Sequence, residues 1–316
     1  MSESPKNGAA GDAALLAADE ELVPETKSYS ANQIVLRRFL RHRGAIVAMG
    51  VMAVVVVVSF TSIGVGSVPG WWDKDISTAY DKIGTGSPTW EHPFGQDTIG
   101  KDYFALTMRG TQISLYIAFG VGIISTLIGT FVGAIAGYFR GIVDSLLMRL
   151  TDVVIIIPLL AIAAVLGRMS GGSLNLLIFA LGVLVWTSLA RLVRGEVLSL
   201  RERDFVMAAR AVGTSPGRII VRHILPNTVG VITVSATLTI ATAILLETSL
   251  SFLGFGVQAP DVSLGSLISD YQGAFLSRPW LFWWPGMMIL AIALSVNFIG
   301  DGLRDAFDPR QTSTKE

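Results

Sequence analysis

DFVMAARAVGTSPGRIIVRHILPN, residues Asp204 to Asn227, interrupts a chain that is otherwise built of long apolar runs. Asp204 can cap a helix start, and Phe205 to Val212 holds strong helix formers in Ala208, Ala209 and Ala211. Gly213 is the residue type that ends a helix in a left-handed turn. Ser215 then supplies a second cap with Pro216 in the first helical position, and that second helix runs on toward Pro226. The pattern predicts two short helices joined at a fixed angle, a rigid projection with a small-residue face suited to docking in a groove of another protein.

What surrounds the segment fixes its setting. The 316 residues are 51% hydrophobic and only 15% charged, and a mean hydropathy of +0.59 lies beyond the balance of a water-soluble domain. The class is therefore an all-α membrane protein. A formal net charge of zero points to neither an acidic nor a basic partner. Cysteine is absent, which excludes disulfides and thiolate metal sites, and His42, His92 and His223 are too scattered in sequence to suggest a metal cage.

Six stretches are apolar enough to cross a bilayer core, which takes about 20 helical residues. They lie at 44 to 66, 113 to 137, 146 to 167, 173 to 191, 229 to 249 and 281 to 300, the third and fourth forming a hairpin around Gly167 to Gly172. Of the 24 Lys and Arg residues, 18 fall in the N-terminal segment, in the second and fourth connections with the span ends beside them, and in the C-terminus. The positive-inside bias then predicts that both termini and the Asp204 segment are cytoplasmic.

The expected organisation is a polar tail over 1–30 and an amphipathic lead-in with the first span over 31–66. An external loop over 67–112 follows, then a transmembrane core over 113–300 and a C-terminus over 301–316. Within the core, 192–228 is a cytoplasmic loop and 250–280 an external one. The tail lacks the charged and apolar regions of a secretory signal.

The run Met207-Ala-Ala-Arg-Ala-Val-Gly213, then His223-Ile-Leu225-Pro226, resembles the cytoplasmic loop motif of permease subunits in ATP-binding-cassette importers. Met207 stands where that family often carries Glu. Further blocks, RRFLRHRGAI from Arg37, HPFGQDTIGKD from His92, GYFRGIVDSLLMRLTD from Gly137, ETSLSFLGFGVQAP from Glu247 and NFIGDGLRDAFDPR from Asn297, resemble the peptide and nickel branch, in order. The resemblance implies a type I ABC importer permease fold. It implies that Met207, Ala208, Ala209, Arg210, Gly213, Ser215, His223, Leu225 and Pro226 couple the chain to an ATPase. The partners it implies are a homologous second permease, two cytoplasmic ATPases and an external solute-binding protein, in a bacterial cytoplasmic membrane. ATP and Mg would sit in the ATPases, and this chain would bind no cofactor. The sequence also lacks a GxxxxGK[ST] phosphate loop.

A solute path needs polar groups facing away from lipid. Ser235, Thr239 and Thr242 follow helical spacing in the fifth span, with Thr228 and Ser249 continuing the stripe, and Thr233 and Thr237 marking a competing face. Glu247, near the external end of that span, is placed to meet a substrate amine or water. Asp152, three residues after Arg149, suggests an intrahelical pair. Gly129, Gly133, Gly137 and Gly141 recur every fourth residue, the pattern of close helix packing within the subunit. Pro158 predicts a bend in the third span. Trp280, Trp283 and Trp284 suggest an interfacial belt, and Trp71, Trp72 and Trp90 a docking surface.

Peptides are the leading solute, with nickel, glutathione or another small solute as alternatives on the same architecture. Nickel is disfavoured because no span contains His or Cys. An ion-coupled secondary transporter would need ionisable groups at mid-membrane, which these spans almost lack. No convergent catalytic constellation suggests an enzyme. The arginines of the loop lack the interleaved aromatics of a nucleic-acid site.

Overall fold

Each apolar run forms helix, and the polar residues at its ends decide where the helix starts and stops. The computed structural model describes residues 31–308, so the expectations for the tail over 1–30 and for residues 309–316 fall outside the described part. Helix α1 (Ala31–Phe39) leads through a short turn into α2 (Arg43–Ser62), which His42 caps by accepting the Ala45 amide at its Nδ1, 3.0 Å away. A two-stranded ribbon follows, β1 (Gly64–Val65) paired antiparallel with β2 (Val68–Pro69).

Helix α3 (Tyr103–Phe139) is the hub, packing against α2 and against most of the later helices. It begins ten residues before the expected second span, so 103–112 belong to a helix and not to a loop. The cause is local. Asp102 Oδ1 accepts the Ala105 amide at 2.7 Å and the Trp72 indole N–H at 3.1 Å, while Oδ2 lies 2.7 Å from His92 Nδ1. Asp97 likewise accepts the amides of Ile99 and Lys101, and its other oxygen accepts the Tyr271 hydroxyl at 2.9 Å. Burial, aided by the Asp97 carboxylate, pushes the Tyr271 phenol well above its ordinary range, so it remains a donor. The HPFGQDTIGKD block is thus a folded cap on α3, tied across to residue 271.

The next two spans are broken. Helices α4 (Gly141–Ile156) and α5 (Leu159–Met169) meet at 86° across Pro158, and α6 (Leu174–Val185) and α7 (Thr187–Leu200) meet at 46°. Pro158 has no amide hydrogen to continue α4, so the bend expected there from sequence is a wide one. Trp284, expected at an interface, stacks on Phe94 with ring centroids 3.8 Å apart, whereas Trp283 stays exposed.

The fifth span is longer than its hydropathy. Beyond α8 (Asp204–Ala211), α9 (Pro216–Ile219), a π-helical turn (Ile220–Ile224) and α10 (Leu225–Phe252) form one continuous helix from 216 to 252. The Leu225 amide reaches back five residues to the Ile220 carbonyl. That wide turn lies just before Pro226, whose ring would crowd the Arg222 carbonyl in an ideal α-helix. A short helix α11 (Leu264–Tyr271) and the last helix α12 (Trp280–Phe307) complete the chain. Four stretches, α2, α3, 216–252 and α12, are long and apolar enough to cross a membrane unaided, and the count is six if each bent pair is one span.

The glycine ladder explains the α3–α7 contact. A Cβ on Gly129, Gly133 or Gly137 would lie 2.9, 2.5 or 2.8 Å from the carbonyl oxygens of Trp186, Ala190 and Arg194. Backbones approach this closely only without side chains between them. Gly141 is not a rung: Arg140 and Gly141 both take positive φ where the chain reverses into α4, and nothing lies within 4 Å of its would-be Cβ.

Ion pairs then fasten α4 to α7. Arg194 grips Asp144 with two bonds of 2.5 and 2.7 Å, and Arg191 meets Asp152 at 2.5 Å. Asp152 therefore pairs across helices, not with Arg149 on its own helix as its spacing suggested. The Asp144 pair is bidentate and the less exposed of the two. Asp144→Asn is expected to lower the melting midpoint in detergent clearly more than Asp152→Asn, which should cost no more than about 1 kcal/mol. Equal losses would contradict this ranking.

Candidate functional site

Two features carry the functional reading, a bent segment at one end of the bundle and a cavity at its broken helices. The bent segment is α8, a turn and the head of the 216–252 helix. Arg203, not Asp204, occupies the cap position of α8, so Asp204 contributes its charge to the first turn and no capping bond. At the other end the Gly213 amide donates to the Arg210 carbonyl and the Thr214 amide to the Ala209 carbonyl, at 3.0 and 3.1 Å. This is a Schellman closure, and Gly213 sits in its left-handed position with φ of 79°. Ser215 precedes Pro216 in extended conformation without a side-chain capping bond.

One side of this peg is anchored. Val206, Ala209, Ile219, Ile220 and Ile224 are buried in one cluster with Val193 and Val197 of α7 and Tyr138 of α3. Arg210 lies over the Tyr138 ring at 5.5 Å, and Arg201 donates to the Tyr138 carbonyl at 2.7 Å. Tyr138 is thus central to seating the peg, a role that no spacing in its own stretch announced. The other side is open: Phe205, Met207, Ala208, Arg210 and Val212 are exposed around Gly213. His223 and Leu225 are half-buried in the continuous helix, and Pro226 is exposed.

The cavity holds about 410 Å3. Ser235, Thr239 and Thr242 of α10 line it together with Thr187 and Ser188, and residues flanking both helix breaks complete the wall. The sequence brought the three α10 hydroxyls to one face, and Thr187 and Ser188 went unnoticed because the break beside them has no Pro or Gly. Thr237, on the competing face, packs instead toward Gly300 of α12, whose would-be Cβ meets its hydroxyl at 2.7 Å. Thr228 is fully buried and donates to the Leu225 carbonyl.

Glu247 does not belong to this wall. It is wholly buried, where contact with water or solute was expected. Its carboxylate accepts from the hydroxyls of Ser114 at 3.1 Å and Ser251 at 2.7 Å. Ser114 in turn accepts the Leu264 amide, Ser251 accepts the Val257 amide and the Ser263 hydroxyl, and Ser263 caps α11. A carboxylate near the end of an apolar helix needs such partners to be buried at all. Here they come from α3 and the last turn of α10 itself, and through Ser263 and Leu264 the network reaches the start of α11, so Glu247 clamps α11 onto the bundle.

The family described as binding-protein-dependent transport system inner membrane component matches residues 129–313, which hold the cavity, the peg and Glu247 itself. The chain belongs to this family. It is a multi-pass membrane permease component with the type I permease fold. Among its relatives, the oligopeptide transport system permease protein OppC of Mycobacterium tuberculosis is 39% identical over 293 residues, covering 92% of this chain and 98% of that one. The OppC protein of Haemophilus influenzae is 37% identical over 276 residues, 87% of each chain. The family is defined by transport, and its permeases work in ABC transporter complexes with partner subunits.

Proposed function

We propose that this chain is one of two homologous permease subunits of an ATP-driven peptide importer in a bacterial cytoplasmic membrane. An external solute-binding protein delivers the peptide, and two cytoplasmic ATPases, which hold the ATP and Mg, drive it through. The chain itself carries no catalytic site and no cofactor. Both termini and the peg face the cytoplasm, as the arginine distribution favours. Near-full-length similarity to oligopeptide permeases supports the choice of solute.

The observation that carries the mechanism is the peg's construction. Its outward face exposes Phe205, Met207, Ala208 and Val212 around a Gly213 turn, and its second limb is the start of the 216–252 helix. An ATPase gripping that face pushes directly on a span whose Ser235, Thr239 and Thr242 line the cavity. Met207 offers an apolar contact where an acidic residue would offer an ion pair.

Purification in mild detergent is the test. The chain should bring a second permease and two ATPases, and the complex in vesicles should take up peptide only with binding protein outside and ATP inside. Uptake by this chain alone, following an ion gradient, would assign it to the secondary transporters instead.

A further inference from the structure

Irregular backbone at membrane depth persists where it lines a cavity, because lipid offers no hydrogen bonds to freed polar groups. Both broken helices of this chain bring residues beside their breaks, Ile157 and Leu159 in one and Val185 and Thr187 in the other, to the same cavity wall as α10. At the first break Pro158 has no amide hydrogen to give the carbonyl of Val154, a residue of the cavity wall, its α-helical bond. Two of the three α10 hydroxyls have already spent their protons. Thr239 Oγ1 donates to the Ser235 carbonyl and Thr242 Oγ1 to the Leu238 carbonyl, each at 2.9 Å, which leaves only oxygen lone pairs for any visitor. No charged side chain lines the cavity, and the nearest charges along two of its segments, Asp152 and Arg191, are paired with each other. The wall is therefore neutral and rich in acceptors.

The geometry points to a contact site for the backbone N–H donors of an extended peptide, with Thr239 and Thr242 as acceptors. This rests on the peptide-importer reading above and adds the chemistry by which the permease touches its solute. A carboxylate or phosphate would find no charged side chain to pair with on this wall. A chain of amides finds an acceptor at each turn of α10, since Ser235, Thr239 and Thr242 are spaced close to helical turns.

The test compares tetra-alanine with its analogue in which an ester oxygen replaces the central amide N–H, in vesicles carrying the complete transporter. The readout is the ratio of their uptake rates, in which the binding protein's own preference is the same for every permease variant. Thr239→Val or Thr242→Val keeps the side-chain shape and is expected to lower the amide-over-ester ratio about fivefold, the worth of one hydrogen bond. Thr233→Val is the control, because that hydroxyl makes the same kind of bond, to the Val229 carbonyl, away from the cavity. Its ratio should match the wild type. An unchanged ratio in both cavity variants, or an equal fall in the control, overturns the assignment. Failure of the wild-type complex to take up either compound while it transports another solute removes the peptide reading itself, and this inference with it.

Discussion

Gly213→Val should abolish most uptake while leaving ATP hydrolysis by the assembled complex within about twofold of wild type, with uptake falling by tenfold or more. The space around Gly213 is open, with nothing within 4 Å of a would-be Cβ, so the substitution creates no clash. Its effect is conformational. At φ of 79° a side chain costs about 1–2 kcal/mol, more for a β-branched one, and that is enough to shift the native turn from dominant to minor. Without the Schellman closure, α8 and the head of the 216–252 helix no longer keep their angle, and a push on one is not passed to the other. Gly213→Asn, which tolerates the left-handed region, should retain most uptake. Coupled transport at normal abundance in the Val variant would remove the peg from the mechanism.

Gly133→Ala should destabilise the protein, against its helix propensity, which favours Ala over Gly by about 1 kcal/mol. The added methyl would lie 2.5 Å from the Ala190 carbonyl oxygen and 2.9 Å from the Val193 side chain. Neither can give way without parting α3 from α7, at a cost of about 1–3 kcal/mol for Ala. Gly133→Val should cost more, and little folded protein should survive detergent extraction. Gly195, on α7 itself, has open space at its would-be Cβ, so Gly195→Ala should be neutral or stabilising. Thermal unfolding of the three variants decides the matter; equal behaviour of Gly133→Ala and Gly195→Ala would mean that the close approach of the two helices does not limit stability.

The apolar stretches were legible because hydropathy registers what faces lipid, and all six yielded helix. Their ends were not, because caps and tertiary ties set them. The first turns of α3, FALTMRGTQ, read as loop since their burial comes from the 72–102 cap and α11, which no local window contains. Pro158 announced its bend but not the size of it, and the break before Thr187 has no sequence sign at all. Pro226 looked like the end of a helix, yet the π turn ahead of it lets the helix run through. Gly213 and the rungs at 129, 133 and 137 were readable because each is the residue type that its backbone geometry demands. Glu247 misled, since a carboxylate near a span's end normally seeks water and only the distant Ser114 of α3, with Ser263 behind Ser251, reveals why it turns inward. Asp152 misled for the same reason, its partner Arg191 being 39 residues away.

The unbroken run from Pro216 to Phe252 makes this helix a seesaw. Near its middle it is wedged on both sides, Ile240 against Gly122 of α3 and Thr237 against Gly300 of α12. Taking residue 238 as the fulcrum and 1.5 Å per residue, the arms are about 33 and 21 Å long. Rocking as a rigid rod about that point, the helix would carry Glu247, about 14 Å beyond the fulcrum, and α11 clamped to it, the opposite way by roughly two-fifths as much as the peg end moves. One solid beam thus reports events on one face of the membrane to the other, without any relay of loosely joined parts between them.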